Sequence, residues 1–171
     1  MLSKEQIMNA LNRLSDELGA LGIKGELLLT GGASMCLVHS ARDMTKDIDA
    51  LYEPKVVINQ LVSKIAQEDG LPEGWLNDGV KGFLTAAAPR EDFLALQNLK
   101  IATVSADYLL AMKLMSARYA ETDYEDVMFL IDKLGMQTEE DLQAIVTQYY
   151  PEDTILPKTK YLIEEVVSKR K

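Results

Sequence analysis

A chain of 171 residues, 47% apolar and 26% charged, has the composition of a soluble globular protein of one domain or one domain with a small helical extension, and this excludes disorder across its bulk. A net charge of −9 disfavours, without forbidding, a long nucleic-acid partner, because a phosphate backbone needs a basic surface. No apolar run approaches the ~18 residues of a membrane span, and the first residues are charged and amphipathic, unlike a signal peptide; a cytoplasmic location and no membrane partner are expected.

Ser3 followed by Gln6 is a capping-box pattern, with Leu2 and Ile7 placed as its hydrophobic staple. Ile7, Leu11, Leu14, Leu18 and Leu21 continue at helical spacing until Gly22. Residues 26–30, ELLLT, read as a buried strand, and 33–41 as a short helix entered through Gly31-Gly32. Residues 47–52, DIDALY, read as a strand, and Pro54 opens an amphipathic helix with Val57, Leu61 and Ile65 on its apolar face. Gly70 to Gly82 reads as a loop with a possible short helix, in which Trp75-Leu76-Asn77-Asp78 either lines a pocket or caps that helix, capping being favoured. FLTAAA at 83–88 and FLALQNLKIATV at 93–104 are predicted strands, joined by a turn at Pro89-Arg90-Glu91-Asp92. From Ser105 the pattern is helical: a first helix carrying Leu109, Leu110 and Lys113, a second from Tyr124 to Leu134 stopped by Gly135, a third started by Thr138 and Asp141 and ended by Pro151, and a last around Leu162 to Val167. The expected fold is α/β (α+β), a small mixed sheet flanked by helices over 1–104, with a helical part over 105–171 packed on it as a single compact unit.

Two short patterns carry chemistry. Gly31-Gly32 at a strand-to-helix turn permits positive φ and close approach of a ligand, the helix start offers N–H groups to phosphate, and Ser34 adds a hydroxyl; the same pattern also serves as a plain structural turn. Asp47 and Asp49, two apart on a strand, point to one face and could hold Mg²⁺ (or Mn²⁺) through oxygen ligands; a solvated strand edge is the competing reading. Cys36 lies in an apolar run and reads as a buried small hydrophobe. His39 has no second histidine or nearby cysteine for a zinc site.

Strand, Gly-Gly, helix, then a strand with Asp-Ile-Asp resembles, in order and spacing, the nucleotidyltransferase superfamily of DNA polymerase beta. Arg42 and Thr45, just ahead of Asp47, fit the same pattern. The nearest resemblance is to small bacterial nucleotidyltransferases similar to abortive-infection-type (AbiEii-like) toxins, whose helical motif is similar to residues 109–135 here. The resemblance implies a minimal nucleotidyltransferase fold and transfer of a nucleoside monophosphate from an NTP to the hydroxyl of an RNA, a protein or a small molecule. It implies that Asp47 and Asp49 bind metal and that Gly31, Gly32 and Ser34 hold triphosphate. It also implies that Lys113 reaches nucleotide phosphates, while Arg118, Asp123 and Asp126 complete the helical motif near the site. A toxin–antitoxin or phage-defence setting, with an antitoxin protein as partner, follows from the same likeness. An interhelix ion-pair network of Lys113, Arg118 and Asp126 is the competing structural reading. Many active members carry a third carboxylate on a later strand; Asp78, Asp92 and Asp107 are the candidates here. Without one, a catalytically degenerate nucleotide-binding or interaction module of the same fold is the alternative.

Overall fold

The computed structural model describes residues 1–116 and 121–170. Contacts divide the chain into two units, Met1–Gly82 with Arg90–Val104, and Phe83–Pro89 with Ser105–Lys171.

The first unit begins with a two-residue strand β1 (Leu2–Ser3), paired antiparallel to β3 (Met44–Thr45). Helix α1 (Lys4–Ala20) starts at the expected capping box: Ser3 Oγ accepts from Gln6 N, and Ser3 N donates to Gln6 Oε1. Its stripe of Ile7, Leu11, Leu14 and Leu18 is fully buried. Strand β2 (Gly25–Leu29) leads into α2 (Gly31–Leu37), and β4 (Ile48–Glu53) leads into α3 (Lys55–Asp69), which Gly70 ends in the left-handed conformation. With β5 (Leu76–Asn77), β6 (Arg90–Ala95) and β7 (Leu99–Val104), these form a five-stranded sheet in the order β5-β4-β2-β7-β6. The sheet is mixed: β2 runs antiparallel to β4 and parallel to β7.

Alternation along the strands builds a two-faced layer. Leu27, Leu29, Ile48, Ala50, Leu99 and Ile101 are buried in one core with the apolar residues of α1 and α3. Trp75, fully buried, joins that core and donates from Nε1 to Val62 O at 3.1 Å. The architecture is α+β, as the element order led one to expect.

The expected strands at 83–88 and 93–104 are corrected by the structure. Residues 83–89 form turns and irregular chain, and the hairpin is 90–95 with 99–104, so the proposed turn at 89–92 lies at the start of β6. The Ala-rich stretch 86–88 has little strand preference, whereas the reversal at Leu96–Asn98 lacks the Gly or Pro that normally announces one. Neighbours supply what the local sequence does not. Leu96 N donates to Leu99 O at 2.9 Å, Asn98 N donates to Ser15 Oγ at 3.0 Å, and Lys24 Nζ donates to Gln97 O at 2.6 Å. The expected helix at 33–41 instead starts on the glycines and ends at Leu37.

The second unit contains α4 (Ala106–Ser116), α5 (Glu121–Leu134), α6 (Glu139–Tyr149) and α7 (Pro157–Ser168). Helix α6 starts on a Thr138/Asp141 capping box. The segment 83–89 is bound into this unit by tyrosines: Tyr150 OH donates to Phe83 O at 2.7 Å, and Tyr108 OH accepts from Thr85 N at 2.7 Å. Tyr108 also meets Tyr149 edge-on, with ring centroids 4.9 Å apart.

Candidate functional site

The turn from β2 into α2 is anchored on β4. Thr30 N and Thr30 Oγ1 both donate to Asp49 O, at 3.0 and 3.1 Å. Gly31 has φ +54, a conformation that disfavours side chains, and a Cβ placed there would lie 3.0 Å from Asp49 Oδ2. The glycine therefore permits the Asp49 carboxylate to lie against the turn. Gly32 has no positive φ, yet a Cβ on it would lie 2.0 Å from Arg42 Nη2 and 2.4 Å from Thr45 Oγ1. Thr45 Oγ1 donates to Asp47 O at 3.2 Å, which fixes the chain just ahead of β4.

Asp47 and Asp49 flank Ile48, which is fully buried, and both are partly exposed. Because Ile48, Ala50 and Tyr52 face the core, Asp49, Leu51 and Glu53 face the other side of the sheet. On that side lies a cavity of about 600 Å³, within the ~300–1,000 Å³ range of ordinary ligand pockets. Leu28, Leu51 and Ala102, which share one cross-strand row, form its apolar floor. Charges of both signs surround it, among them Lys55, Asp78, Arg90 and Lys100. Sequence reasoning missed this rim; its signal was the alternation Glu26-Leu28 and Leu51-Glu53, polar or apolar residues opposite the buried ones.

Ser34, expected to lend a hydroxyl to phosphate, is fully buried, and its Oγ lies 2.8 Å from Thr103 Oγ1. It ties α2 to β7. Lys113 belongs to the helical unit, where its side chain is 8% exposed and its Nζ lies 3.0 Å from Asp123 Oδ1 and 2.7 Å from Asp126 Oδ2. Of the competing network of Lys113, Arg118 and Asp126, the Lys113–Asp126 pair is present, with Asp123 as a further partner of Lys113, while Arg118 lies outside the described residues.

Each candidate third carboxylate already has protein partners. Asp78 follows Asn77, the register partner of Asp49, and is bonded by Lys55, with Lys81 at 3.9 Å. The Lys55 hydrogen bond holds the Asp78 carboxyl below its usual range, outweighing desolvation. Asp92 pairs with Lys100 at 3.4 Å. It sits on β6, three strands from β4 and so roughly 14 Å away, too far to share an ion with Asp49. Asp107 accepts from Ser105 Oγ and Tyr149 OH within the helical unit. Among the described residues, no three His, Cys, Asp or Glu side chains converge as a metal-binding group. The Trp75–Asp78 segment resolves as expected for its capping residue, since Asn77 Oδ1 accepts from Gly79 N at the single turn Gly79–Gly82; Asp78 lines the cavity.

Asp49, against the glycine turn, and Asp47, two residues before it, are the carboxylates that could hold Mg²⁺, a hard ion commonly held by one or two carboxylates together with substrate phosphates rather than by an all-protein cage. Among the described residues no helix is long and apolar enough to cross a membrane.

No protein-family model and no curated protein matches this chain. Among solved structures, the chain is similar to an antigenic nucleotidyltransferase-like protein from Paracoccidioides brasiliensis, at 14% identity over 95% of this chain and 94% of that one, with a TM-score of 0.47.

Proposed function

We propose that the chain is a metal-dependent nucleotidyltransferase that moves a nucleoside monophosphate from an NTP to an acceptor hydroxyl. The observation that carries the reading is the seating of the Asp49 carboxylate against Gly31, with Asp47 two residues before it, immediately ahead of the same strand. Asp47 and Asp49 would hold Mg²⁺ or Mn²⁺, and such an ion neutralises triphosphate charge when bound. The glycine turn leaves room for the phosphates, and Ser34 keeps the turn in place through Thr103. The cavity on the same face of the sheet as Asp49, lined by Leu28, Leu51 and Ala102 but by neither aspartate, would take the acceptor. In the transfer, the acceptor oxygen bonds to the α-phosphorus, the bond from that phosphorus to the α,β-bridging oxygen breaks, pyrophosphate leaves, and the hydroxyl proton passes to water. Lys113 would neutralise phosphate charge only by exchanging Asp123 and Asp126 for phosphate. A toxin or phage-defence role, with an antitoxin as partner, is the setting in which such an activity would be held in check.

The test is calorimetric titration of the four NTPs with Mg²⁺, followed by a pyrophosphate-release assay. Binding by wild type that is lost in Asp47→Asn/Asp49→Asn supports the reading. No binding to wild type, or undiminished binding to the double variant, overturns it. The absence, among the described residues, of a third carboxylate beside Asp47 and Asp49 favours one other reading, a degenerate module that binds nucleotide without turnover. Binding without pyrophosphate release across RNA, protein and small-molecule acceptors would select it.

A further inference from the structure

The two glycines of the turn are required for different reasons. Gly31 answers a backbone demand, with φ +54 and the Asp49 carboxylate against it. Gly32 answers none, since its φ lies outside the positive region and any L-residue could adopt its backbone. What excludes a side chain at Gly32 is occupied space. The added Cβ would lie 2.0 Å from Arg42 Nη2, 3.0 Å from Arg42 Cζ and 2.4 Å from Thr45 Oγ1. Ten residues further along the chain, a guanidinium has been brought down onto the glycine.

We propose that Gly32 is the seat of Arg42, and that Arg42 is the phosphate-gripping side chain of this site. The inference deepens the nucleotidyl-transfer reading and rests on it. Consecutive α-carbons are about 3.8 Å apart, so the turn holds a carboxylate against one glycine and a guanidinium against the next. A metal–triphosphate needs that pair of opposite charges side by side: a carboxylate for the cation and a fixed cation for the phosphate oxygens. Arginine suits the second task because its charge is permanent and its planar fork of N–H donors matches two phosphate oxygens at once. Thr45 packs on the same glycine and bonds the backbone of Asp47, so one short segment, 42–47, sets both the guanidinium and the first aspartate.

The seat predicts non-additive variants. An alanine at Gly32 meets the flexible tip of Arg42 and also the hydroxyl of the buried Thr45, so Gly32→Ala should lose the guanidinium from the turn at some cost in Tm. Affinity for the best-binding Mg-NTP, measured by calorimetry, should fall about tenfold or more in Arg42→Gln, as expected for loss of a charged hydrogen-bonding partner. Gly32→Ala should fall by at least that factor, since it also presses on Thr45, and Gly32→Ala/Arg42→Gln no further than Gly32→Ala, because the alanine has already displaced the group that Arg42→Gln removes. Multiplying losses in the double variant, or undiminished affinity in Arg42→Gln, overturns the inference and leaves the nucleotidyl-transfer reading standing. Wild type that binds none of the four NTPs overturns both. Should Gly32→Ala fail to fold, Arg42→Gln against wild type still decides the role of the guanidinium.

Discussion

Lys113→Met removes the cation that faces both Asp123 and Asp126, and its cost follows from how little water reaches the group. The Lys113 and Asp126 side chains are 8% and 4% exposed, whereas Asp123 is 26% exposed and keeps part of its hydration. Removing one partner of a buried pair typically costs about 3–5 kcal/mol, because the remaining charge is stranded. In a chain of this size that corresponds to a fall in Tm on the order of 10 °C. Replacing both buried partners, Lys113→Met with Asp126→Leu, should recover most of the loss, since well-packed apolar groups commonly substitute for a buried ion pair at little net cost. Urea unfolding of wild type, both single variants and the double, at a common m value, measures the coupling. A loss under about 1 kcal/mol for Lys113→Met would show a solvent-screened pair and refute the argument from burial. The stabilised double variant then separates two roles: if Lys113 also binds phosphate, Mg-NTP affinity stays low although stability returns.

Ser34→Ala should cost about 1 kcal/mol through loss of the Oγ–Thr103 bond, read from the emission of Trp75, the chain's one tryptophan, buried in the same unit. Unchanged stability with a collapsed Mg-NTP affinity would show instead that the hydroxyl serves the ligand. At Asp107, burial works to raise the carboxyl, but the donors Ser105 and Tyr149 and two backbone N–H groups outweigh it and hold it below the usual range. Its stabilising contribution is therefore present above the ordinary carboxylate pKa of about 4 and lost as pH falls below that, and Asp107→Asn should flatten the acid limb of a Tm-versus-pH curve. The Tyr149 phenol, partly desolvated and bonded to Asp107, is pushed up to about 12. Stability should decline as pH rises from about 10, where the unfolded phenol ionises, towards 12, and an alkaline limb unchanged in Tyr149→Phe would contradict this.

What was legible in the sequence was what local chemistry dictates. The capping boxes at Ser3/Gln6 and Thr138/Asp141, the stripe of α1 and the strand–Gly-Gly–helix–strand order need no distant partner to be recognised. The hairpin was misread because its reversal at Leu96–Asn98 is held by Ser15 and Lys24, far away in sequence. Strands β1, β3 and β5 are two residues each, too short to show a period. The two glycines looked alike as letters. Only their surroundings, Asp49 for one and Arg42 with Thr45 for the other, distinguish a backbone requirement from a steric one.

The attachment of segment 83–89 to the helical unit sets the order in which the chain can complete itself. The Phe83 carbonyl waits for a hydroxyl 67 residues downstream, on Tyr150. During synthesis the sheet has all its strands once Val104 has emerged, while the loop between β5 and β6 gains Tyr108 only when α4 is made and Tyr150 only after α6. Severing the chain between 104 and 105 would therefore strand that loop from Tyr108 and Tyr150, so a core fragment ending at Val104 carries seven residues that belong to the part removed.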